Sequence, residues 1–248
     1  MMPAHDNPQN QPVGVALPDW RPPVRPSRDA MVGRFCRLEP LDPGRHAAEL
    51  HTANAVDADG RMWTSLPYGP FADLAAYRAW MEAKWLGDDP LFFAIVDAGS
   101  GRAVGVASYL RIDPANGAIE VGHLGYSPQL QRTPAATEAM ALMMARGFAL
   151  GYRRYEWKCD ALNAPSRAAA LRLGFTFEGI FRQATVVKGR NRDTAWYSIL
   201  DSEWPARRAA FERWLAPENF DAAGRQWQRL ADLTRTSENP GPRRNHGQ

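Results

Sequence analysis

The sequence predicts one α/β (α+β) domain in which a mixed sheet is flanked by helices. Segments that alternate like strands and segments with the 3.6-residue period of helices interleave along the chain. Short turns join the early strands as hairpins, whereas a long helix separates two later strands as a crossover. Of the 248 residues, 45% are hydrophobic, which is enough for one substantial core.

The two ends of the chain differ in composition from its middle. Residues 1–30 are rich in proline, asparagine and glutamine, and residues 234–248 are polar. Such segments bury too little apolar surface to order themselves, so we predict a poorly ordered Pro-rich tail and a polar tail. Trp20 is the one strong anchor that lets the first tail lie along the surface in part. Residues 31–233 form the predicted domain, with a helical extension at its C-terminal end.

The remaining elements follow from periodicity and from turn residues. Pro67, Gly69 and Pro70 exclude regular structure from the aromatic loop at 62–71. Trp63 and Tyr68 on this loop either pack as a lid or also line a substrate pocket. Outside residues 118–159, the predicted strands lie at 34–41, 91–96, 103–110, 175–177 and 196–200. The predicted helices lie at 46–53, at 73–86, from 163, at 201–215 and at 222–233.

Residues 118–159 are predicted to form a strand, a turn, a helix and a second strand. Simple alternation in the first strand places His123 on one face and Glu120 on the other. Thr133 can cap the helix and Pro134 suits its first position. The unpaired N–H groups and the dipole of a helix that follows a strand favour an anion there. The turn is therefore a candidate phosphate site.

Composition and short motifs give no support for nucleic-acid binding, membrane insertion, secretion or metal binding. The net charge of +3, from 30 basic and 27 acidic residues, does not single out nucleic acid as a partner. No apolar run approaches the roughly 18 residues of a membrane helix, and the N-terminus lacks a secretory pattern. Cys36 and Cys159 are interpreted as two buried thiols in a reducing cytoplasm. The five histidines are scattered and no metal-binding motif occurs.

Two segments and the order of the elements between them resemble the GNAT superfamily of acyl-CoA-dependent N-acyltransferases. The segments are TPAATEAM from Thr133 and NAPSRAAALRLGFTFEG from Asn163. The second segment is similar in spacing to the branch that acetylates ribosomal-protein N-termini. The residues that keep this spacing are Asn163, Ser166, the Leu-Gly-Phe from Leu173 and the Glu-Gly from Glu178. The resemblance covers roughly residues 35–201.

The resemblance implies a mostly antiparallel sheet whose fourth and fifth strands splay apart. Acetyl-CoA would be the co-substrate, without a metal. Its pantetheine arm would pair with the fourth strand at 122–127, and its pyrophosphate would meet the start of the next helix. The cofactor-binding residues implied are Leu124, Gly125, Tyr126, Gln131, Arg132, Thr133, Ala135, Ala136, Thr137, Asn163 and Arg167. Arg172 on the same helix as Arg167 is a second candidate for the adenosine 3′-phosphate, and a solvated surface position is the alternative for both.

The turn of this chain departs from the family pattern Gln/Arg-x-x-Gly-x-Gly/Ala. The corresponding positions are Gln129, Arg132 and Pro134, so both glycines are replaced. Pro134 also has no N–H to donate. We hypothesise that the Arg132 guanidinium replaces the glycine backbone, together with the neighbouring amides and the Thr137 hydroxyl.

Direct attack of an amine on a thioester needs a base, an oxyanion site and an acid. The candidate bases are Glu120 and His123, which a bulge would bring to the same side. A structural ion pair for Glu120 and a packed ring for His123 are the alternatives. Backbone N–H groups near Leu124 and Gly125 are candidates for the oxyanion site.

The acid is the last group to be assigned. Many relatives use a tyrosine at the position of Ala170. The resemblance implies Ser166 in its place, with Asn163 positioning it or the pantetheine. Ser166 and Asn163 are also suited to a helix start alone.

We predict transfer of an acetyl or short acyl group to a primary amine. The acceptor is left open among a protein N-terminus, an amino acid, an aminoacyl compound and an aminoglycoside, and Trp63 and Tyr68 are its candidate binding residues. A silent acyl-CoA-binding or sensing module is one alternative. A nucleotide- or nucleic-acid-binding protein that uses the Arg-rich tails is another and is disfavoured. A homodimer is left open.

Overall fold

The computed structural model describes residues 5–236, with side chains for residues 7–234. The strands are β1 (His5–Asp6), β2 (Pro12–Val13), β3 (Met31–Val32), β4 (Cys36–Pro40), β5 (Leu91–Asp97), β6 (Ala103–Asp113), β7 (Ala118–Tyr126), β8 (Arg154–Asp160), β9 (Thr176–Val187) and β10 (Arg190–Leu200). The helices are α1 (Pro43–Asn54), α2 (Leu74–Lys84), α3 (Pro134–Ala149), α4 (Ala164–Arg172), α5 (Trp204–Leu215) and α6 (Leu230–Thr236).

Eight of these strands form one sheet in the order β3-β4-β5-β6-β7-β8-β10-β9. Its neighbours are antiparallel except β7 and β8, which are parallel and joined by the α3 crossover. The predicted mixed, mostly antiparallel sheet is therefore confirmed. Strands β1 and β2 form a separate two-stranded ribbon.

The parallel strands separate halfway along their length. Pairing between them runs from Ala118↔Arg154 to Val121↔Trp157 and then ends. Beyond that point β7 continues to Tyr126, while β8 stays paired with β10 as far as Asp160. These strands are the fourth and fifth counted from β4, so the predicted splay is present as a V-shaped opening.

Helices cover the two faces of the sheet unequally. Helices α3 and α5 pack on one face, where Tyr109, Met143 and Tyr155 are buried in the larger core. Helices α1 and α2 pack on the other face around Phe92 and Trp85 in a smaller, aromatic core. The second pair lies against β4–β6 only, and charged and polar side chains occupy the same face on β7–β10.

Side-chain caps fix where four of the helices begin. Asp42, Asp73, Thr133 and Asn163 each accept a backbone N–H from the first turn that follows. Three of these helices then have proline within their first two positions. The start of α3 at Thr133 and Pro134 is as predicted from the sequence.

The segment before β3 lies along the surface of the domain. The Trp20 ring contacts the Arg153 guanidinium, 5.8 Å from the ring centroid, and fills the space beside Gly117. The Arg146 guanidinium donates to the carbonyl oxygens of Asp29 and Ala30. These contacts tie the proline-rich segment to α3 and to the turn before β8.

Three elements differ clearly from their predicted lengths. Strands β9 and β10 form a long hairpin that extends beyond the predicted 175–177 and 196–200. Most residues of β9 are exposed, so the apolar alternation that marks a strand is absent there. The predicted helix at 222–233 forms only from Leu230, because Asp221 instead caps a turn whose Gly224 has φ 74°.

No helix among residues 5–236 combines the length and the apolar character needed to cross a membrane.

Candidate active site

The backbone of β7 has no strand partner on its β8 side from Gly122 to Tyr126. On its other side, the Ser127 N–H donates to the Val104 carbonyl at 3.3 Å. Two residues earlier in the same ladder, Gly125 pairs with Val106. Backbone groups of an antiparallel strand alternate between its two neighbours, so those of Gly125 bond toward β6.

Leu124 and Tyr126 therefore direct their backbone groups into the V-shaped opening. Their N–H groups lie where the sequence predicted donors for a pantetheine arm and a thioester oxygen, and the Gly125 N–H does not. The Tyr126 carbonyl already accepts from Gln131 Nε2 at 2.8 Å. The Gln131 amide group thus closes the end of the strand.

The turn between β7 and α3 keeps a glycine-like backbone without glycine. Arg132 has φ 62° at the position where the family pattern has its first glycine. A non-glycine residue in this left-handed region costs about 1–2 kcal/mol. The guanidinium of Arg132 is exposed and has no ion pair within residues 7–234, so it is available to a ligand.

We expect Arg132→Gly to raise the free energy of unfolding by about 0.5–1 kcal/mol, because glycine removes the left-handed strain at some cost in chain entropy. Arg132→Ala is the matched control, since it removes the guanidinium but keeps the strain. Urea denaturation of both variants measures the difference. Equal stability of the glycine and alanine variants would contradict the assigned backbone conformation.

Most donors at the start of α3 are used within the fold. The Thr133 hydroxyl accepts from the Ala136 N–H at 3.3 Å and donates to the Leu130 carbonyl at 2.7 Å. The Thr137 hydroxyl is buried and accepts from Arg172 at 2.8 Å. The Ala135 N–H has no hydrogen-bond partner among the described residues. Of the donors predicted here, this amide and Arg132 have no partner among the described residues, and the Thr137 hydroxyl keeps its own proton because the Arg172 guanidinium can only donate.

Arg172 is a half-buried cation beside the first turns of α3. Burial lowers the pKa of its guanidinium, which lies 6.0 Å from the ring centroid of Trp214. No carboxylate within residues 7–234 forms an ion pair with it. By contrast, Arg167, the predicted cofactor ligand, donates to the Tyr197 hydroxyl and to the Ala161 carbonyl. The geometry therefore favours Arg172 over Arg167 as a phosphate ligand.

A bulge in β7 redirects His123. The ladder to β6 shifts between Val106↔Gly125 and Ser108↔Gly122, and His123 has φ 51°. Histidine is among the non-glycine residues that tolerate this region best. A bulge is therefore present at His123, the second of the two candidate bases.

The His123 ring lies in an aromatic cage. It stacks on Tyr68 at 5.6 Å between centroids and contacts Phe92 at 5.3 Å. Burial, and then the charges of Arg111 and Arg192, lower the pKa of His123 to about 4. The imidazole is accordingly neutral at pH 7 and can accept a proton.

Glu120 is buried and held by two cations. Arg111 Nη1 lies 2.7 Å and Lys158 Nζ 2.9 Å from its carboxylate. Lys158 also pairs with Glu156 at 2.6 Å and lies 3.8 Å from the Trp196 ring centroid. Of the two candidate bases, Glu120 has the contacts of a structural counter-ion, and His123 is the one without a hydrogen-bond partner in the described part of the chain.

Ser166 and Asn163 lie where α4 meets β8. The Asn163 side chain accepts from the Ser166 N–H at 3.1 Å, so it acts as the helix cap. Trp157 Nε1 donates to Ser166 Oγ at 3.0 Å. Because the indole can only donate, the Ser166 hydroxyl keeps its own proton, and the neighbouring Cys159 side chain lies within hydrogen-bonding reach of that hydroxyl. Ala170 is fully buried at the position of the family's tyrosine.

The aromatic loop is packed and is closed by the β9–β10 hairpin. Trp63 and Tyr68 are 6% and 5% exposed. Lys188 at the hairpin turn donates to the Trp63 carbonyl at 2.8 Å. The Tyr68 hydroxyl is buried and has no hydrogen-bond partner among the described residues, and the Tyr68 ring stacks on His123. The loop is a lid, and Tyr68 belongs to the wall of the candidate site.

Sequence reasoning missed the charged residues that surround the bases. Lys158 and Glu156 alternate with Tyr155 and Trp157 in β8, and charges at every second position of an interior strand are a usable signal. Arg192 lies in the polar part of β10, which was not predicted to be a strand. Within the described residues, no group of three metal-binding side chains occurs.

More than half of the chain matches one known protein family. Residues 36–176 match the model of the acetyltransferase (GNAT) domain. The solved structure of a GCN5-related N-acetyltransferase from Brucella melitensis is 51% identical, covers 88% of this chain and 100% of its own, and superposes with a TM-score of 0.86. The resemblance predicted from the sequence is confirmed.

A named enzyme is also similar to part of the chain. The ribosomal-protein-serine acetyltransferase of Escherichia coli (strain K12) is 36% identical over 103 residues, which are 40% of this chain and 56% of that protein. The similarity thus spans less than two thirds of that relative.

Proposed function

Because the chain belongs to the GNAT acetyltransferase family, we propose that it moves the acetyl group of acetyl-CoA directly to a primary amine. The observation that carries the finer proposal is the neutral His123 ring beside the open edge of β7. A base and backbone donors then flank one position, where the thioester carbonyl would lie. No covalent enzyme intermediate is needed in this arrangement.

Acetyl-CoA would enter the V-shaped opening from the α3–α4 side. Its pantetheine amides would pair with the backbone of Leu124 and with the N–H of Tyr126, whose carbonyl is already used by Gln131. Its phosphates would lie at the α3 N-terminus, with the Ala135 N–H and the guanidinium groups of Arg132 and Arg172 as ligands. Arg167 and Arg172 were both candidates from the sequence, and Arg172 is the one proposed here as a phosphate ligand.

In the proposed reaction, the neutral amine attacks the thioester carbon, and the carbonyl oxygen becomes an oxyanion held by the Leu124 N–H. As the C–N bond forms, the nitrogen loses one proton to His123. The C–S bond then breaks, and the leaving sulfur takes a proton from the Ser166 hydroxyl. Exchange with solvent returns the His123 proton to Ser166, so the products are the N-acetyl amide and free CoA.

The acceptor is expected to bind between the lid and the β9–β10 hairpin. A cleft of about 740 Å³ opens on that hairpin, with Phe181 and Asn191 among its lining residues. A protein N-terminus is one candidate, since the similar Escherichia coli enzyme is named for a ribosomal-protein serine. Free amino acids, aminoacyl compounds and aminoglycosides are the others.

Release of CoA thiol across a panel of such amines tests the proposal. Binding of acetyl-CoA is measured first by calorimetry, and each amine is then compared with buffer alone. Amine-dependent thiol release with formation of an N-acetyl product is the expected result. Acetyl-CoA binding without turnover of any amine would instead favour a silent binding module.

We expect Arg172→Met to raise the acetyl-CoA dissociation constant about 10- to 100-fold, because it removes a charge-assisted contact to phosphate. The control is Arg208→Met, which removes an exposed arginine whose ion pair among the described residues is with Glu212 in the same helix. Calorimetric titration at constant salt measures both variants. An Arg172→Met protein that is folded and binds acetyl-CoA normally would place the phosphates elsewhere.

A further inference from the structure

Several buried hydrogen-bond donors near the proposed amine-binding side of the site have no hydrogen-bond partner among the described residues. The indole nitrogens of Trp80 and Trp196 and the Nε of Arg192 are buried and unpartnered within the described residues. All three groups donate and none accepts. Buried polar groups without partners are uncommon. These three donors could therefore bind a ligand that carries several hydrogen-bond acceptor atoms.

These donors lie around His123. Trp80 contacts Tyr68 at 5.8 Å between ring centroids, and Tyr68 in turn stacks on His123. Trp196 lies against Lys158, which pairs with Glu120 in the strand that carries His123. These three donors therefore lie along one wall of the site, whereas other unpartnered groups, such as the hydroxyls of Tyr152 and Tyr155, lie in the larger core.

Arg192 differs from the other cations of this wall. Arg111 and Lys158 each pair with Glu120, and Arg154 pairs with Glu156 and Glu178. No carboxylate within residues 7–234 pairs with Arg192. Side chains alternate along β10, so Arg192 lies on the same sheet face as Trp196, whose ring contacts Lys158 on the face that also carries Glu120. The charge of Arg192 also contributes to lowering the pKa of His123. A cation held at a reaction centre without a counter-ion is suited to an anionic ligand.

We propose that the acceptor amine carries an anionic oxygen group, a carboxylate or a phosphate, and that Arg192 binds this group while the amine faces His123. The inference rests on the proposed function and names its substrate class. A guanidinium binds carboxylate and phosphate in the same forked geometry, so the chemistry is shared by amino acids and by phosphorylated amines. Polycationic acceptors such as aminoglycosides are disfavoured by the same charge.

Matched acceptor pairs test the proposal. L-serine is compared with L-serinamide, and phosphoethanolamine with ethanolamine, so that one arm reports on carboxylate and the other on phosphate. We expect the anionic member of at least one pair to have a KM about 10- to 100-fold lower. Equal or better use of the neutral members of both pairs would overturn the proposal.

Arg192→Gln removes the charge and keeps hydrogen-bond donors. We expect it to raise the KM of the preferred anionic acceptor about 10- to 100-fold while the KM of its neutral partner stays unchanged. Arg192→Lys restores part of the difference if charge is what matters. Arg190→Gln, at an exposed arginine two residues away, is the control. An equal loss with both members of the pair would mean that Arg192 is structural.

A second readout separates this inference from the proposed function. If no amine is acetylated, calorimetric binding of L-serine and of phosphoethanolamine to the protein with CoA is measured for wild type and Arg192→Gln. Binding that needs Arg192 supports the anionic ligand even though the transfer proposal fails. Absence of binding of both probes to the wild-type protein overturns the inference.

Discussion

Replacement of His123 by asparagine is expected to lower kcat about 10²- to 10⁴-fold, the usual contribution of a general base. Asparagine is the informative substitution because it also tolerates the left-handed backbone that His123 adopts at φ 51°. The dissociation constant of acetyl-CoA should stay unchanged, since the ring faces the lid and the phosphate ligands are elsewhere. Steady-state kinetics with one amine, together with calorimetry, measure both quantities.

The pH dependence provides an independent check of the same role. The pKa of His123 is lowered to about 4, so the base is deprotonated throughout the neutral range. As the pH falls through about 4 the imidazole becomes protonated, and kcat/KM calculated for the neutral form of the amine should fall with it. An acid limb near the ordinary histidine pKa of about 6.5 would contradict the burial of the ring.

Glu120→Gln is the matched comparison for His123→Asn. Glu120 accepts from Arg111 and Lys158, so its replacement should destabilise the charged network without abolishing turnover. A loss of kcat confined to the Glu120 variant, with the His123 variant fully active, would reverse the assignment of the base.

Much of the site was within reach of the sequence because local signals specify it. Thr133 and Pro134 mark the start of α3, and Asn163 marks the start of α4. These residue types favour a helix start through hydrogen bonds and backbone angles within the first turn, so they can be recognised without the tertiary structure. The sequence does not predict the bulge at His123, because simple alternation places the two candidate bases on opposite faces. It shows only that a bulge is needed if both bases are to face the site. The register with β6 is what decides it.

The remaining features depend on contacts between distant parts of the chain. Arg172 and Thr137 are 35 positions apart, and their contact follows from how α4 packs beside α3. An arginine at position 132 does not predict a left-handed backbone, because arginine disfavours that conformation. The turn between β7 and α3 nevertheless holds Arg132 in it. Arg192 lies on a hairpin whose strand character came from pairing and not from its own pattern.

Glu138 is the residue whose loss should destabilise the fold most, and nothing local in the sequence marks it. Its carboxylate in α3 is buried and accepts the backbone N–H groups of Arg34, Phe35 and Cys36 at 2.8, 2.6 and 2.9 Å. It thereby fixes the start of β4 to the helix whose N-terminus is the predicted phosphate site.

We expect Glu138→Ala to lower the free energy of unfolding by about 3–5 kcal/mol, because three amides lose a charged acceptor and an unpaired buried group costs about 1–3 kcal/mol. Such a loss is a large share of the roughly 5–15 kcal/mol that stabilises a typical domain. Urea denaturation measures it, with Glu82→Ala on the exposed side of α2 as the control.

Glu138→Gln distinguishes the anchor from simple packing. Glutamine has nearly the same volume, but its amide nitrogen would face a backbone N–H, so at most one side of the contact survives. A glutamine variant should therefore lose a substantial part of the stability that the alanine variant loses. Full stability of Glu138→Gln would mean that shape, and not the three hydrogen bonds, holds β4 to α3. Because the same contact positions the α3 N-terminus, the destabilised variants should also bind acetyl-CoA more weakly at temperatures where they remain folded.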